Sequence, residues 1–156
     1  MDSQIILVIE DNPVNMKLFR VLLKQERYEV MEAEDAETGI ELAHRKSPHL
    51  ILMDIGLPGL DGLNATRIIK KDSVLKDIPI LALTAHAMSG DEEKAREAGC
   101  DGYMSKPIDI RAFLEMVSRH LALGEKKASA LSSGRREAEG LDGDTSQRSE
   151  QNPADC

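Results

Sequence analysis

The stretch LILMDIGLPGLDG, Leu50 to Gly62, begins with four large apolar residues and an aspartate, then places three glycines and a proline within the next eight positions. A short apolar run closed by Gly/Pro punctuation reads as a buried β-strand followed by a turn. Neither element accounts for Asp54, because a carboxylate at the end of a buried strand is costly unless something pairs with it.

Similar strand-like runs occur on both sides, alternating with amphipathic segments. IILVI (5–9) precedes NPVNMKLFRVLLKQ, whose apolar residues recur at helical spacing, with Asn12 as cap and Pro13 in the first turn. YEVMEA (28–33) precedes DAETGIELAHRK. Asp61 can cap GLNATRIIKKD, IPILALT (78–84) forms a fourth strand, and GDEEKAREAG is a helix ending at Gly99. GYMSK (102–106) and DIRAFLEMVSRHLA close the series. Five β-α units predict an α/β fold, a parallel sheet covered by helices on both faces.

Composition narrows the function. A chain of 156 residues is long enough for one self-sufficient core. Cys100 and Cys156 lie in no CxxC or Cys/His cluster, which predicts ordinary thiols in a reducing cytoplasm. The five-residue apolar run near the N-terminus is too short for a signal peptide, and no segment approaches a membrane span. A net charge of −8 and 3% aromatic residues argue against a nucleic-acid surface. From Gly124 onward the large apolar residues are only Leu131 and Leu141, so residues 1–123 are expected to fold and 124–156 to form a disordered tail.

In open parallel sheets, sites form beyond the carboxyl ends of the strands. Those ends carry Glu10 and Asp11, then Asp54, Thr84 and Lys106. Each residue alone has a plainer role as a cap, turn residue or solvated charge. Together, at the ends of four separate strands, they form a pattern that composition does not explain. Three crowded carboxylates call for a cation, and hard oxygen donors suit Mg²⁺. Lysine can pair with a phosphate oxygen and threonine can donate to it, so Asp54 is a candidate carboxylate nucleophile that forms an aspartyl phosphate.

The runs ILVIEDNPVNMKLF, PHLILMDIGLPGLDG, IPILALTAHAM and AGCDGYMSKPID, spread from Gln4 to about Leu123, resemble the receiver domain of two-component response regulators, the CheY-like superfamily. DNPVNMKLF and TAHAMSGDEEKAREAGCDGYMSKPI look closest to single-domain regulators of the DivK type, and the absence of a recognisable output domain supports that assignment. The resemblance implies a flavodoxin-like, doubly wound sheet of order 2-1-3-4-5. It implies Asp54 as phosphoacceptor, with Asp11, Asp54 and the Gly56 carbonyl binding Mg²⁺ and Glu10 completing the acidic pair. It also implies Thr84 as the switch hydroxyl, Lys106 as the phosphate-pairing lysine before a cis Pro107, and Tyr103 as the aromatic that responds to Thr84. Read by itself, Tyr103 serves equally as a packing residue. Gly56 and His86 occupy places that bear on phosphoryl lifetime, and His86 receives no catalytic role. On the first helix Asn15, Leu18, Phe19 and Leu22 form a mixed face toward a phosphodonor, with Leu18 and Leu22 expected in the core.

The expected function is a cytoplasmic phosphoacceptor switch, not an enzyme beyond self-phosphorylation and autodephosphorylation. Its partners are a histidine kinase or histidine phosphotransfer protein and a downstream protein, with no nucleic acid and no membrane. An Asp-nucleophile phosphatase would typically carry a second Asp where Gly56 stands. A nucleotide-binding module would need a glycine-rich phosphate loop after the first strand, and EDNPVN offers none.

Overall fold

The computed structural model describes residues 4–57, 59–84 and 91–122. Five short strands, β1 (Ile5–Ile9), β2 (Glu29–Ala33), β3 (Leu50–Asp54), β4 (Ile80–Thr84) and β5 (Gly102–Ser105), form one sheet of order 2-1-3-4-5 with every neighbouring pair parallel. The helices are α1 (Pro13–Gln25), α2 (Ala36–Lys46), α3 (Gly62–Lys71), α4 (Asp91–Ala98) and α5 (residues 110–122). The α/β alternation read from the sequence pattern and the strand order implied by the resemblance are both present. The tail over 124–156 lies outside the described residues, as do Pro58, His86 and Cys156.

Strand residues alternate between two cores because successive side chains point to opposite faces. Ile6, Val8, Leu50, Leu52, Leu81 and Leu83 pack with Phe19 of α1 and Phe113 of α5. The two rings lie 5.4 Å apart and tilted by 34°, a geometry worth about 1 kcal/mol beyond its buried area. Leu7, Ile9, Ile51, Met53 and Ile80 pack instead with Ala36 and Ala43 of α2 and Ala65 and Ile69 of α3. β3 is buried along its whole length, as a central parallel strand covered on both faces must be. Leu18 corrects one expectation: it is 39% exposed, while Phe19, Leu22 and Leu23 fill the core. Met16, Phe19 and Leu23 recur at three- and four-residue spacing, so α1 turns that row inward and leaves Val14, Leu18 and Val21 outside.

The helices start and stop on local chemistry. Asn12, Asp35 and Asp61 each accept backbone N–H groups of the first turn of α1, α2 and α3. Gly99 closes α4 with a φ of 112°, and its missing side chain leaves room for Lys70, whose Cγ would lie 2.7 Å from an added Cβ. Lys70 Nζ donates to the carbonyls of Lys76 (3.2 Å) and Ile78 (3.0 Å) and to Asp101 Oδ2 (2.9 Å). The same carboxylate oxygen accepts from Ile80 N at 2.9 Å, so one ammonium ties the end of α3 to the starts of β4 and β5. Nothing in the sequence pattern distinguishes Lys70 from its neighbour Lys71.

Two predictions concern stability. Lys70→Met should lower unfolding free energy by about 1 kcal/mol with an unchanged denaturant slope, because several acceptors lose one donor that water only partly replaces. Urea titration measures this. Arg20 forks onto both oxygens of Glu32 across α1 and β2. That hydrogen bond holds the Glu32 carboxyl below its ordinary 4.5. The stabilisation is in place above 4.5 and is lost as pH falls through the lower folded value. Glu32→Gln should therefore remove part of the acid-limb loss of stability, measured as the urea midpoint against pH.

Candidate functional site

Strand ends carry the site because the backbone ladder continues one residue past β1, β3 and β5. Glu10 N donates to Ala33 O (3.0 Å), Ile55 N to Leu83 O (2.8 Å) and Lys106 N to Thr84 O (2.6 Å). The sheet thus holds Glu10, Asp54, Thr84 and Lys106 at one edge. Glu10, Asp54 and Thr84 are all buried, at 1%, 6% and 6% exposure. Asp11 is exposed and faces a cleft of about 400 Å³ between α1 and the end of β2.

Lys106 Nζ lies 2.7 Å from Glu10 Oε1 and 3.5 Å from Asp54 Oδ2. The ammonium is hydrogen-bonded to Glu10 and only electrostatically engaged with Asp54. Glu10's second oxygen accepts from Asn12 N at 3.1 Å, and Asp54 Oδ1 accepts from Gly56 N at 3.0 Å. Asp54 Oδ2 is left facing the lysine. Burial pushes the Glu10 carboxyl above its ordinary value, the Lys106 hydrogen bond opposes this, and the Asp54 charge adds to the rise. Ligand oxygens from Glu10, Asp11 and Asp54 all come within 4.8 Å of one another. Three carboxylates and one ammonium leave a negative excess, and the donor set is all hard oxygen, so the residues fit a divalent cation such as Mg²⁺.

Thr84 and Tyr103 stand on the same face of the sheet. Ala82 pairs with Tyr103 and Thr84 with Ser105, and alternation puts residues 82, 84, 103 and 105 on one side. Tyr103 is half-buried, as a strand aromatic on an edge strand would be. The Lys106–Pro107 peptide is cis. Gly56 leaves the side next to Asp54 open: among the described residues, a Cβ there would approach only Asp54 Oδ1, at 3.8 Å.

Gly62 is a site residue that the motif reading missed. A Cβ at this position would overlap the Asp54 carbonyl oxygen and sit 2.8 Å from Ile55 Cα, while its N–H donates to Ile55 O at 3.2 Å. The first turn of α3 therefore presses directly on the backbone that presents Asp54. A glycine immediately after a cap residue, where helix propensity disfavours it, was the available signal.

The family model for the response regulator receiver domain matches residues 6–118, which contain every residue of this site. The chain belongs to that family. Receiver domains are signalling switches of two-component systems that interact with histidine kinases and downstream partners. The polar-differentiation response regulator DivK of Brucella anthropi is 44% identical over 116 residues, covering 74% of this chain and 94% of the relative. The receiver domain of a sensor histidine kinase from Pseudomonas aeruginosa PAO1, with a magnesium ion coordinated in its active site cleft, is 36% identical with a TM-score of 0.72, covering 78% of this chain and 99% of that one. The chemotaxis protein CheY4 of Vibrio cholerae shares the fold at 22% identity and a TM-score of 0.72, over 76% and 98% of the two chains.

Gly62→Ala should displace Asp54 and Ile55, costing about 1–3 kcal/mol in stability, as overpacking does. Thermal melting measures that loss.

Proposed function

We propose that the chain is a single-domain response regulator of a cytoplasmic phosphorelay, accepting a phosphoryl group on Asp54 from a histidine kinase or histidine phosphotransfer protein. The observation that carries this is the Lys106 ammonium, placed between Glu10 and Asp54 at the sheet edge with Asp11 beside them. Supporting it are the DivK relative, most of whose length is spanned, and the lack of any helix among the described residues long and apolar enough to cross a membrane.

Asp54 Oδ2 is the attacking oxygen, since Oδ1 is engaged by the Gly56 N–H. As the new P–O bond forms, the donor's P–N bond breaks and the imidazole leaves with the electron pair, then takes a proton. Lys106 shifts from Glu10 toward the arriving phosphoryl oxygens, and the Thr84 hydroxyl donates to another of them. Asp11, Asp54 and the Gly56 carbonyl would hold Mg²⁺, with Glu10 supporting them. The ion would neutralise charge on the transferred group. Tyr103, on the same face as Thr84, passes the change to the surface of β5 and alters affinity for a downstream protein. Gly56 supplies no acid or base where an Asp-nucleophile phosphatase would typically carry a second Asp, which favours a switch whose chemistry is limited to its own phosphorylation and dephosphorylation. The exposed row Val14, Leu18 and Val21 on α1 suits the phosphodonor.

Acetyl phosphate with Mg²⁺ should produce one hydroxylamine-labile adduct by mass spectrometry, absent in Asp54→Ala. A stable adduct, or full labelling of Asp54→Ala, would contradict the assignment. Thr84→Ala should accept phosphate yet transmit it poorly. Calorimetric titration of a partner phosphotransfer domain, with and without beryllofluoride as the phosphoryl stand-in, should show a coupling of about 1–3 kcal/mol in wild type that shrinks in the variant.

A further inference from the structure

We propose that Asn12 is a positioning residue for the carboxylates that bind the metal ion, acting through the cap of α1. The proposal rests on the phosphoacceptor function above and concerns what holds Asp11 in place. Asp11 is exposed, and among the described residues its carboxylate has no hydrogen-bond or ion-pair partner. Its direction therefore depends on the backbone to either side. On one side, Glu10 is clamped through Oε1 by Lys106 and through Oε2 by the N–H of Asn12.

On the other side, Asn12 is fixed to α1 by three bonds. Its Oδ1 accepts from Val14 N (2.9 Å) and Asn15 N (3.1 Å), and its carbonyl accepts from Met16 N (2.9 Å). One residue thus faces both ways: its side chain and carbonyl belong to the helix, and its amide belongs to the acidic pair. The peptide between Asp11 and Asn12 cannot turn without breaking the cap or releasing Glu10. Anything that loosens the first turn of α1 loosens Asp11 with it.

Asn12 is exposed and its backbone, at φ −89° and ψ 118°, is open to any residue. Substitution there opens no cavity and introduces no strain, so the cap can be removed cleanly. Serine restores a capping oxygen without adding charge, whereas alanine does not.

The experiment compares wild type, Asn12→Ala and Asn12→Ser, with Ile69→Val as a variant destabilised in the opposite core. Calorimetric titration with Mg²⁺ alone reads affinity without reference to activity, and acetyl phosphate labelling is followed at limiting and saturating Mg²⁺. Asn12→Ala should bind Mg²⁺ about tenfold more weakly, the lower end for residues that orient metal ligands. Its labelling should be slow at limiting Mg²⁺ and recover at saturation, while Asn12→Ser and Ile69→Val remain near wild type. Unchanged Mg²⁺ affinity in Asn12→Ala would overturn the proposal, and so would Asn12→Ser as weak as alanine or Ile69→Val as weak as Asn12→Ala. Wild type that binds no Mg²⁺ would overturn the metal site itself and the proposal with it.

Discussion

A single ammonium joins the two ends of this domain. Lys106 at the end of β5 reaches Glu10 at the end of β1, 96 residues earlier in the chain, at 2.7 Å, with Asp54 of the central strand 3.5 Å away. Two buried carboxylates this close would otherwise repel each other in a medium that screens poorly. The cation makes their burial tolerable, and it can do so only because the order 2-1-3-4-5 brings those three strand ends to one edge. Removing it would leave two buried charges unpaired, a larger penalty than the pair's own net contribution.

The geometry of the pairing also suits a device that changes state. Lys106 is bonded to Glu10 rather than to Asp54, so the outer oxygen of Asp54 lies beside the lysine without a hydrogen bond to it. Each group is also held from behind. Asn12 N–H supports Glu10, Gly56 N–H supports Asp54, and the backbone amide of Lys106 is bonded to the Thr84 carbonyl. Preorganisation of this kind places the cost of ordering the site on the fold.

Much of the architecture was legible because its signals are local. Strand runs, helix periodicity and the caps at Asn12, Asp35 and Asp61 depend on residues a few positions apart, and the observed elements begin and end close to where those signals place them. Leu18 went the other way because hydrophobicity alone does not say which of two apolar rows on one helix faces the sheet. The row of Met16, Phe19 and Leu23 is the one that meets Phe113 and the β-sheet. Gly62 and Lys70 were missed for a related reason. Their roles are contacts with the Asp54 carbonyl and with Asp101, and no short-range pattern encodes either.

The order of residue types along the chain was enough to determine the α/β alternation and to place Glu10, Asp11, Asp54, Thr84 and Lys106 at strand ends, since each lies where an apolar run stops. Only the tertiary structure decided how those groups pair: which carboxylate the lysine bonds, which oxygen of Asp54 remains open, and which helix presses on its backbone. Pairing of that kind depends on distances across the sheet, and these are settled by strand order, register and side-chain packing together.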